Sequence, residues 1–115
     1  MIVFIPKTIL FEPLVSAVSV SSVAAKVKSM MNYNVVYKYG GQSNFPGLDI
    51  CAKTGTAEVS NKGDSEVKQP HGWFVGFLND ENHPYAFVIL VENGGSGLGA
   101  AGSVANTVLQ AAVAK

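Results

Sequence analysis

The sequence predicts an α+β fold, in which an antiparallel sheet of about four strands carries two packed helices. Two segments have apolar residues at helical spacing, one in the first third of the chain and one at its C-terminal end. Between them lie three apolar or alternating runs separated by turn residues, which predicts consecutive strands. Segregated strands and helices favour the α+β class. Because 115 residues make one domain's length, we expect a single domain over residues 1–115.

The N-terminal third is predicted to form a short strand and the first helix. The strand is the apolar run of residues 2–5. Ser21 or Ser22 is the candidate N-cap of the helix, because a hydroxyl there satisfies free backbone N–H groups. Apolar residues then recur at helical spacing up to Met30 and the methionine after it, which we expect in the core. The helix is predicted to end before the glycine pair that starts at Gly40.

The middle of the chain predicts the sheet. The three predicted strands are Leu48–Thr56, Trp73–Leu78 and Tyr85–Val91. The polar segment Val59–Pro70 separates the first two and is expected to be an exposed turn. The last two are joined by the short turn sequence Asn79–Pro84, so an antiparallel hairpin is their expected pairing.

The last segment, from Leu98 or Gly99 to Ala114, is predicted to be a helix with one buried stripe of small and apolar residues. The glycine-rich sequence before it, Gly94–Gly99, superficially resembles a phosphate cradle. It lacks the Gly-Lys-Ser/Thr ending of that motif, so a tight strand-to-helix turn is the better interpretation.

Composition excludes several classes of function. Lys plus Arg equals Asp plus Glu, at 8 each, so the chain lacks the positive field that attracts nucleic acid. The single cysteine, Cys51, cannot close an internal disulfide, and we expect a buried inert thiol, with a reactive thiol in a cleft as the alternative. We expect neither a signal peptide nor a membrane-spanning segment in this chain, because no apolar run reaches about 20 residues. His71 is expected to be a structural hydrogen-bonding residue, and neither a metal nor a cofactor is expected.

The tetrapeptide Lys53-Thr54-Gly55-Thr56 carries the chemistry. A glycine inside a strand often marks a place where a ligand or another backbone comes close. Strand alternation places Lys53 and Gly55 on one face and both threonines on the other. If the strand lies at a sheet edge, an extended peptide can pair with it, and Lys53 and the hydroxyls can bind a carboxylate. The backbone N–H of Thr56 can then face a developing oxyanion. An isolated string of this kind also arises by chance.

The residues around this motif resemble the C-terminal part of penicillin-binding protein transpeptidase domains, of the class B type. The resemblance covers residues 6–115 and is carried by Lys53–Glu58, by His71–Phe77, by Val91–Gly95 with the alanine-rich final helix, and by the helix before Gly40. The Lys-Thr-Gly element accompanies Ser-x-x-Lys and Ser-Asp-Asn in these enzymes and in serine β-lactamases. The resemblance therefore implies a partial transpeptidase or β-lactamase-like fold, of which this chain is the C-terminal portion.

The resemblance also implies roles for the tetrapeptide. Lys53 helps to bind the carboxylate of the substrate or β-lactam and supports proton transfer, while Thr54 and Thr56 are carboxylate-binding hydroxyls. The Thr56 N–H forms half of the oxyanion hole, and Gly55 keeps the strand open to the ligand. The whole enzyme would cross-link peptidoglycan stem peptides by serine acyl transfer at the extracytoplasmic face of the bacterial cell membrane, with any membrane anchor only in the parent protein.

The nucleophilic elements of the family are expected to lie outside this chain. From the serines ahead of Lys53 we expect both the Ser-x-x-Lys and the Ser-x-Asn elements to be missing from the chain. An activated nucleophile needs a base within hydrogen-bond reach, so we expect the chain alone to be inactive. Whether it is a truncation, a split gene or a proteolytic fragment stays open. The alternative function is a non-covalent peptide-binding or self-associating module, since uncovered apolar faces favour association. A β-lactamase is a third interpretation.

Overall fold

A four-stranded antiparallel sheet organises the molecule. The computed structural model describes residues 2–6, 17–60, 63 and 65–115. The strands are β1 (Ile2–Pro6), β2 (Ile50–Ala57), β3 (His71–Leu78) and β4 (Tyr85–Val91), in the spatial order β1-β4-β3-β2. The helices are α1 (Ala17–Lys38), α2 (Gly41–Asn44) and α3 (Ser103–Val113), with a π-helical turn at Gly97–Gly102 before α3. The predicted α+β class and the sheet of about four strands are confirmed.

The predicted hairpin is formed by β3 and β4, which pair antiparallel with Phe74 opposite Ile89. Its turn is fixed by Asp80, which accepts the Asn82 N–H at 2.9 Å and shares a 2.7 Å hydrogen bond with Nδ1 of His83. The bond with His83 and then that from Asn82 lower the pKa of the Asp80 carboxyl below its usual value. The Asp80 carboxylate thus stabilises the turn through hydrogen bonds to residues of the same loop.

The core lies on one face of the sheet, and α1, the π-helical turn and α3 each contribute buried residues to it. Phe74 is its centre: its ring stacks on Phe45 with centroids 5.6 Å apart and lies 5.7 Å from the ring of Phe87. From α3, Ala105 and Leu109 are fully buried in the same cluster. The predicted stripe of small residues is therefore confirmed, and its alanines allow the helix to lie close to the sheet.

The start of the last helix differs from the prediction, because Gly97–Gly102 forms a π-helical turn instead of α-helix. The glycines permit this wider turn, and Gly97 also requires the absence of a side chain. A Cβ there would lie 2.6 Å from the carbonyl oxygen of Gly55. The turn therefore rests directly on the backbone of β2. Ser96 caps it, since its Oγ accepts the Gly99 N–H at 3.0 Å.

Helix α1 begins before the predicted cap, so Ser21 and Ser22 lie inside the helix. It ends at Lys38, where Gly40 adopts a left-handed φ of 85°, as the glycine pair predicts. The prediction that Met30 is buried is wrong, because the side chain is 60% exposed. Among the residues described here, no helix combines the length and apolarity that a bilayer crossing requires.

Candidate functional site

The tetrapeptide Lys53–Thr56 lies on β2, at one edge of the sheet as described. Antiparallel pairing with β3 sets Thr54 opposite Phe74 and Gly55 opposite Trp73. The sequence left open whether this strand is an edge strand. The strand order shows that β2 is the last strand on one side of the described sheet. Edge position makes half of the backbone groups of β2 available to a partner outside the sheet.

Hydrogen bonds identify which backbone groups of β2 point away from β3. The Thr54 N–H donates to the hydroxyl of Tyr39 at 3.2 Å, and the Thr54 carbonyl oxygen accepts from Nζ of Lys53 at 2.6 Å. Both backbone groups of Thr54 therefore point away from β3, to the outer edge of β2. Because directions alternate along an antiparallel strand, the N–H and carbonyl of Thr56 also point to that edge, whereas those of Gly55 point to β3.

The two faces of β2 separate the side chains as alternation predicts. Thr54 lies on the face of the buried Ala52, and Lys53 lies on the opposite face with the fully buried Cys51. Lys53 is exposed, and its flexible stem carries the ammonium group around to the edge, within 2.6 Å of the Thr54 carbonyl. The positive charge and the Thr56 N–H therefore belong to the same edge of the strand.

Gly55 is explained by close approach from its neighbours. A Cβ on Gly55 would lie 3.2 Å from the Cβ of Trp73, directly opposite on β3. The other side of the strand is occupied by Gly97 of the π-helical turn, as described above. A side chain at position 55 would require Trp73 to shift by a few tenths of an ångström, so the glycine has a packing reason as well as a proposed functional one.

Tyr39 is a site residue that sequence reasoning missed. It follows α1 and touches β2 from outside the sheet: its hydroxyl also shares a 3.1 Å hydrogen bond with Oγ1 of Thr54. Its ring meets Phe74 edge-on at 6.0 Å. No spacing rule connects a tyrosine after a helix with a strand residue 15 positions later. The consequence is that Thr54 is already partnered, and the free edge begins at Thr56.

His71 has the structural role predicted for it. Its Nδ1 accepts the N–H of Asn93 at 2.9 Å, which ties the start of β3 to the turn after β4. Asn93 has a left-handed φ of 53°, so this bond also holds a backbone conformation that non-glycine residues rarely adopt. Cys51 is buried, in agreement with the inert-thiol prediction.

One Ser-x-x-Lys spacing does occur in the chain, downstream of the tetrapeptide, at Ser65 and Lys68. The expectation that this spacing is missing from the chain is therefore wrong. Residues three apart face each other on a helix, but Ser65 lies in a bend and Lys68 in irregular chain, both exposed. The Lys68 backbone N–H bonds Ser60 at 2.8 Å. This geometry does not form a serine–lysine nucleophile.

In the parts of the chain that the structure describes, no three His, Cys, Asp or Glu side chains come together as a cation site. Lys53 is the cationic group of the tetrapeptide, and hydroxyl and backbone N–H groups make up the rest. Such a set suits an anionic group or a polarised carbonyl oxygen.

Comparisons with known proteins give a consistent result. The sequence profile described as penicillin binding protein transpeptidase domain matches residues 12–113. The peptidoglycan D,D-transpeptidase PbpA of Mycobacterium tuberculosis (strain CDC 1551 / Oshkosh) is 36% identical over 73 residues, which cover 59% of this chain and 14% of that protein. This chain therefore spans about a seventh of that relative.

Two solved structures extend the likeness to three dimensions. Penicillin-binding protein A from M. tuberculosis, as an imipenem acyl-enzyme complex, aligns with a TM-score of 0.61 and 31% identity over 80% of this chain and 19% of that one. The D,D-transpeptidase domain of a peptidoglycan glycosyltransferase from Eggerthella lenta aligns with a TM-score of 0.62 and 29% identity over 80% of this chain and 20% of that one.

Proposed function

The chain belongs to the penicillin-binding protein transpeptidase domain family, and we propose that it supplies the Lys-Thr-Gly strand of a peptidoglycan D,D-transpeptidase. In this proposal β2 forms one wall of the cleft that receives a stem peptide or a β-lactam. The attacking serine comes from polypeptide outside these 115 residues. The chain alone has no acyl-transfer activity.

The observation that carries this proposal is the edge of β2 at Thr56. Its N–H points out of the sheet, and the Lys53 ammonium lies at the same edge, bonded to the Thr54 carbonyl. A backbone N–H beside a cation stabilises negative charge that develops on a carbonyl oxygen. The exposed Thr56 hydroxyl adds a further donor.

Each residue has a distinct role in the proposed reaction. Lys53 attracts the substrate carboxylate and supports proton transfer. Thr54 and Thr56 orient that carboxylate through their hydroxyls, and the Thr54 hydroxyl does so while its oxygen accepts from the Tyr39 hydroxyl. The Thr56 N–H holds the oxyanion as one of two donors, the other coming from the nucleophile's own backbone. Gly55 keeps this part of the strand free of a side chain. Since Ser65 and Lys68 lie in exposed irregular chain, they are not assigned the nucleophile's role.

The partners and location follow from the same proposal. A complete enzyme of this kind acts on peptidoglycan at the extracytoplasmic face of the bacterial cell membrane, and a membrane anchor belongs to the parent protein. Penicillin-binding protein A of M. tuberculosis forms an imipenem acyl-enzyme, which supports β-lactams as ligands of the complete site. Residues 1–115 are proposed to form one domain, the C-terminal portion of that enzyme.

A chimeric enzyme tests the proposal. The matching part of M. tuberculosis PbpA is replaced by residues 12–113 of this chain, and acylation by a fluorescent penicillin is timed. We expect labelling, and we expect Lys53→Ala to slow it about tenfold to hundredfold. Loss of a hydrogen bond to a charged group costs about 1.5–3 kcal/mol, and about 1.4 kcal/mol corresponds to a factor of ten.

The matched control is Lys28→Ala, which removes an exposed lysine from α1 and should leave labelling unchanged. A folded chimera, recognised by its circular dichroism, that reacts equally fast with and without Lys53 would show that this lysine is not in the cleft. A folded chimera that does not react at all would contradict the assignment of β2 as a wall of that cleft.

Self-association is the second candidate function, and the surface of α1 favours it. Five large side chains recur at helical spacing on one side of this helix and remain 41–69% exposed: Val23, Val27, Met30, Tyr33 and Tyr37. Exposed apolar patches of this kind mark protein–protein contacts. A second copy of the chain is the proposed partner in the isolated protein.

A further inference from the structure

A cleft of about 600 Å³ lies between α2 and the beginning of α3, and the proposed transpeptidase function does not use it. Its walls come from the residues around Asn44 on one side and from the π-helical turn and α3 on the other. No residue of β2 is part of its lining. The volume falls within the range of about 300–1,000 Å³ that is typical of small-molecule sites.

The lining is polar and uncharged. Six residues contribute hydroxyl or amide groups: Ser43, Asn44, Ser96, Ser103, Asn106 and Thr107. No Lys, Arg, Asp or Glu is among the lining residues. An anion or a cation bound here would lose its hydration without gaining an opposite charge, so an uncharged ligand is favoured.

Two serine hydroxyl groups of the lining are fixed by hydrogen bonds that leave part of their capacity free. Ser96 Oγ accepts the Gly99 N–H at 3.0 Å, so its own proton is still available for donation. Ser103 Oγ donates to the Gly99 carbonyl at 2.6 Å, so its lone pairs can still accept. The cleft thus presents the Ser96 hydroxyl as a donor and the Ser103 hydroxyl as an acceptor, and both are held by bonds to Gly99.

The two amides repeat this pattern. Asn44 donates through Nδ2 to the Tyr39 carbonyl at 2.8 Å, which leaves its Oδ1 to accept. Asn106 accepts through Oδ1 from Gln110 at 3.3 Å, which leaves its Nδ2 to donate. These bonds orient the amides before a ligand arrives, and such preorganisation lowers the entropic cost of binding.

From this lining we propose that the cleft binds an uncharged carbohydrate. Each sugar hydroxyl donates and accepts at once, which matches a wall of alternating spare donors and acceptors. Leu98, which is half-buried, and the exposed, side-chain-free surface of Gly99 offer apolar contact to the C–H face of a sugar ring. The proposal is independent of the β2 assignment, because it uses other residues on another part of the fold.

Amide chemical-shift mapping on the ¹⁵N-labelled full chain tests this inference. The probes are the tetramer of N-acetylglucosamine, the tetramer of glucose and, as a charged comparison, tetragalacturonate, each at about 10 mM, roughly tenfold above a Kd of 1 mM. We expect an uncharged tetramer to shift the amides of 43–45 and 96–107 in a saturable manner. Binding of the acetylated tetramer alone would identify the amide as the recognised group, and binding of both would identify the hydroxyls.

Asn106→Ala should weaken this binding about tenfold, and Asn34→Ala, an asparagine of α1, should not. Both substitutions place a better helix former in a helix, so the fold should persist, and the spectrum of each variant reports it directly. Absence of saturable shifts with both uncharged tetramers would overturn the proposal. So would equal binding of tetragalacturonate, or unchanged binding by Asn106→Ala.

Discussion

The hydroxyl of Tyr39 is predicted to hold the edge of β2, and Tyr39→Phe removes that hydroxyl alone. It accepts the Thr54 N–H at 3.2 Å and shares a 3.1 Å bond with Oγ1 of Thr54. The phenylalanine ring retains the edge-on contact with Phe74, whose centroid is 6.0 Å away. The substitution therefore separates the hydrogen bonds from the packing.

The expected loss of stability follows from these contacts. A hydrogen bond contributes about 0.5–1.5 kcal/mol net, and a buried donor left without a partner costs about 1–3 kcal/mol. Tyr39 and Thr54 are only part-buried, so water replaces some of the loss. We expect the free energy of unfolding to fall by about 1–2 kcal/mol, which for a domain of this size lowers Tm by roughly 4–8 °C per kcal/mol.

Urea denaturation measures the change in the free energy of unfolding. Amide hydrogen exchange measures the protection of the Thr54 N–H, which donates to Tyr39. The Thr54 amide should exchange faster in Tyr39→Phe, while amides of β3 that face β4 should change only with global stability. The matched control is Tyr37→Phe, whose ring is 69% exposed and which should leave both measurements unchanged. Wild-type exchange at Thr54 together with wild-type stability in Tyr39→Phe would refute the proposed role.

Three further predictions concern the isolated chain. Sedimentation should show species above 12.1 kDa. The double variant Val27→Lys, Met30→Lys should move the chain towards monomer. A wild-type protein that stays monomeric at all concentrations would exclude self-association through α1. Incubation with a fluorescent penicillin should give no covalent adduct by intact mass, with or without Ser65→Ala, and a stoichiometric adduct would contradict the proposed external nucleophile. Hydrogen bonding to His83 lowers the pKa of the Asp80 carboxyl in the folded state. The carboxylate therefore adds stability above its unfolded pKa of about 4, and this contribution is lost as the pH falls through the lower folded pKa. Asp80→Asn should reduce that acid dependence of Tm in thermal melts.

The strands could be predicted because their signals are local. β4 has the predicted bounds Tyr85–Val91, since an apolar run is bracketed by turn residues on both sides. β2 and β3 differ from the predictions by one or two residues at their ends. The hairpin between β3 and β4 followed from the short turn, whose charged Asp80 bonds its own loop.

The helices were less predictable, because tertiary contacts decide their boundaries and exposed faces. An apolar periodicity such as that of α1 predicts a buried face, but it does not say which polypeptide covers it. The π-helical turn depends on the approach of Gly97 to the backbone of Gly55, a contact between residues 42 positions apart. Tyr39 escaped prediction for the same reason, since its partner Thr54 is distant in sequence.

The edge of β2 is divided into a closed half and an open half, and this division connects the fold with the proposed reaction. Tyr39 occupies the edge up to Thr54, and the π-helical turn packs closely against the backbone of Gly55 from one face of the sheet. These contacts restrain the strand where it must be rigid for a donor to be placed accurately. Beyond that point the Thr56 N–H stays directed outward, beside the ammonium of Lys53. If the open half is the binding wall, Tyr39→Phe should weaken β-lactam acylation in the chimera through Thr56 placement, although Tyr39 itself touches no ligand.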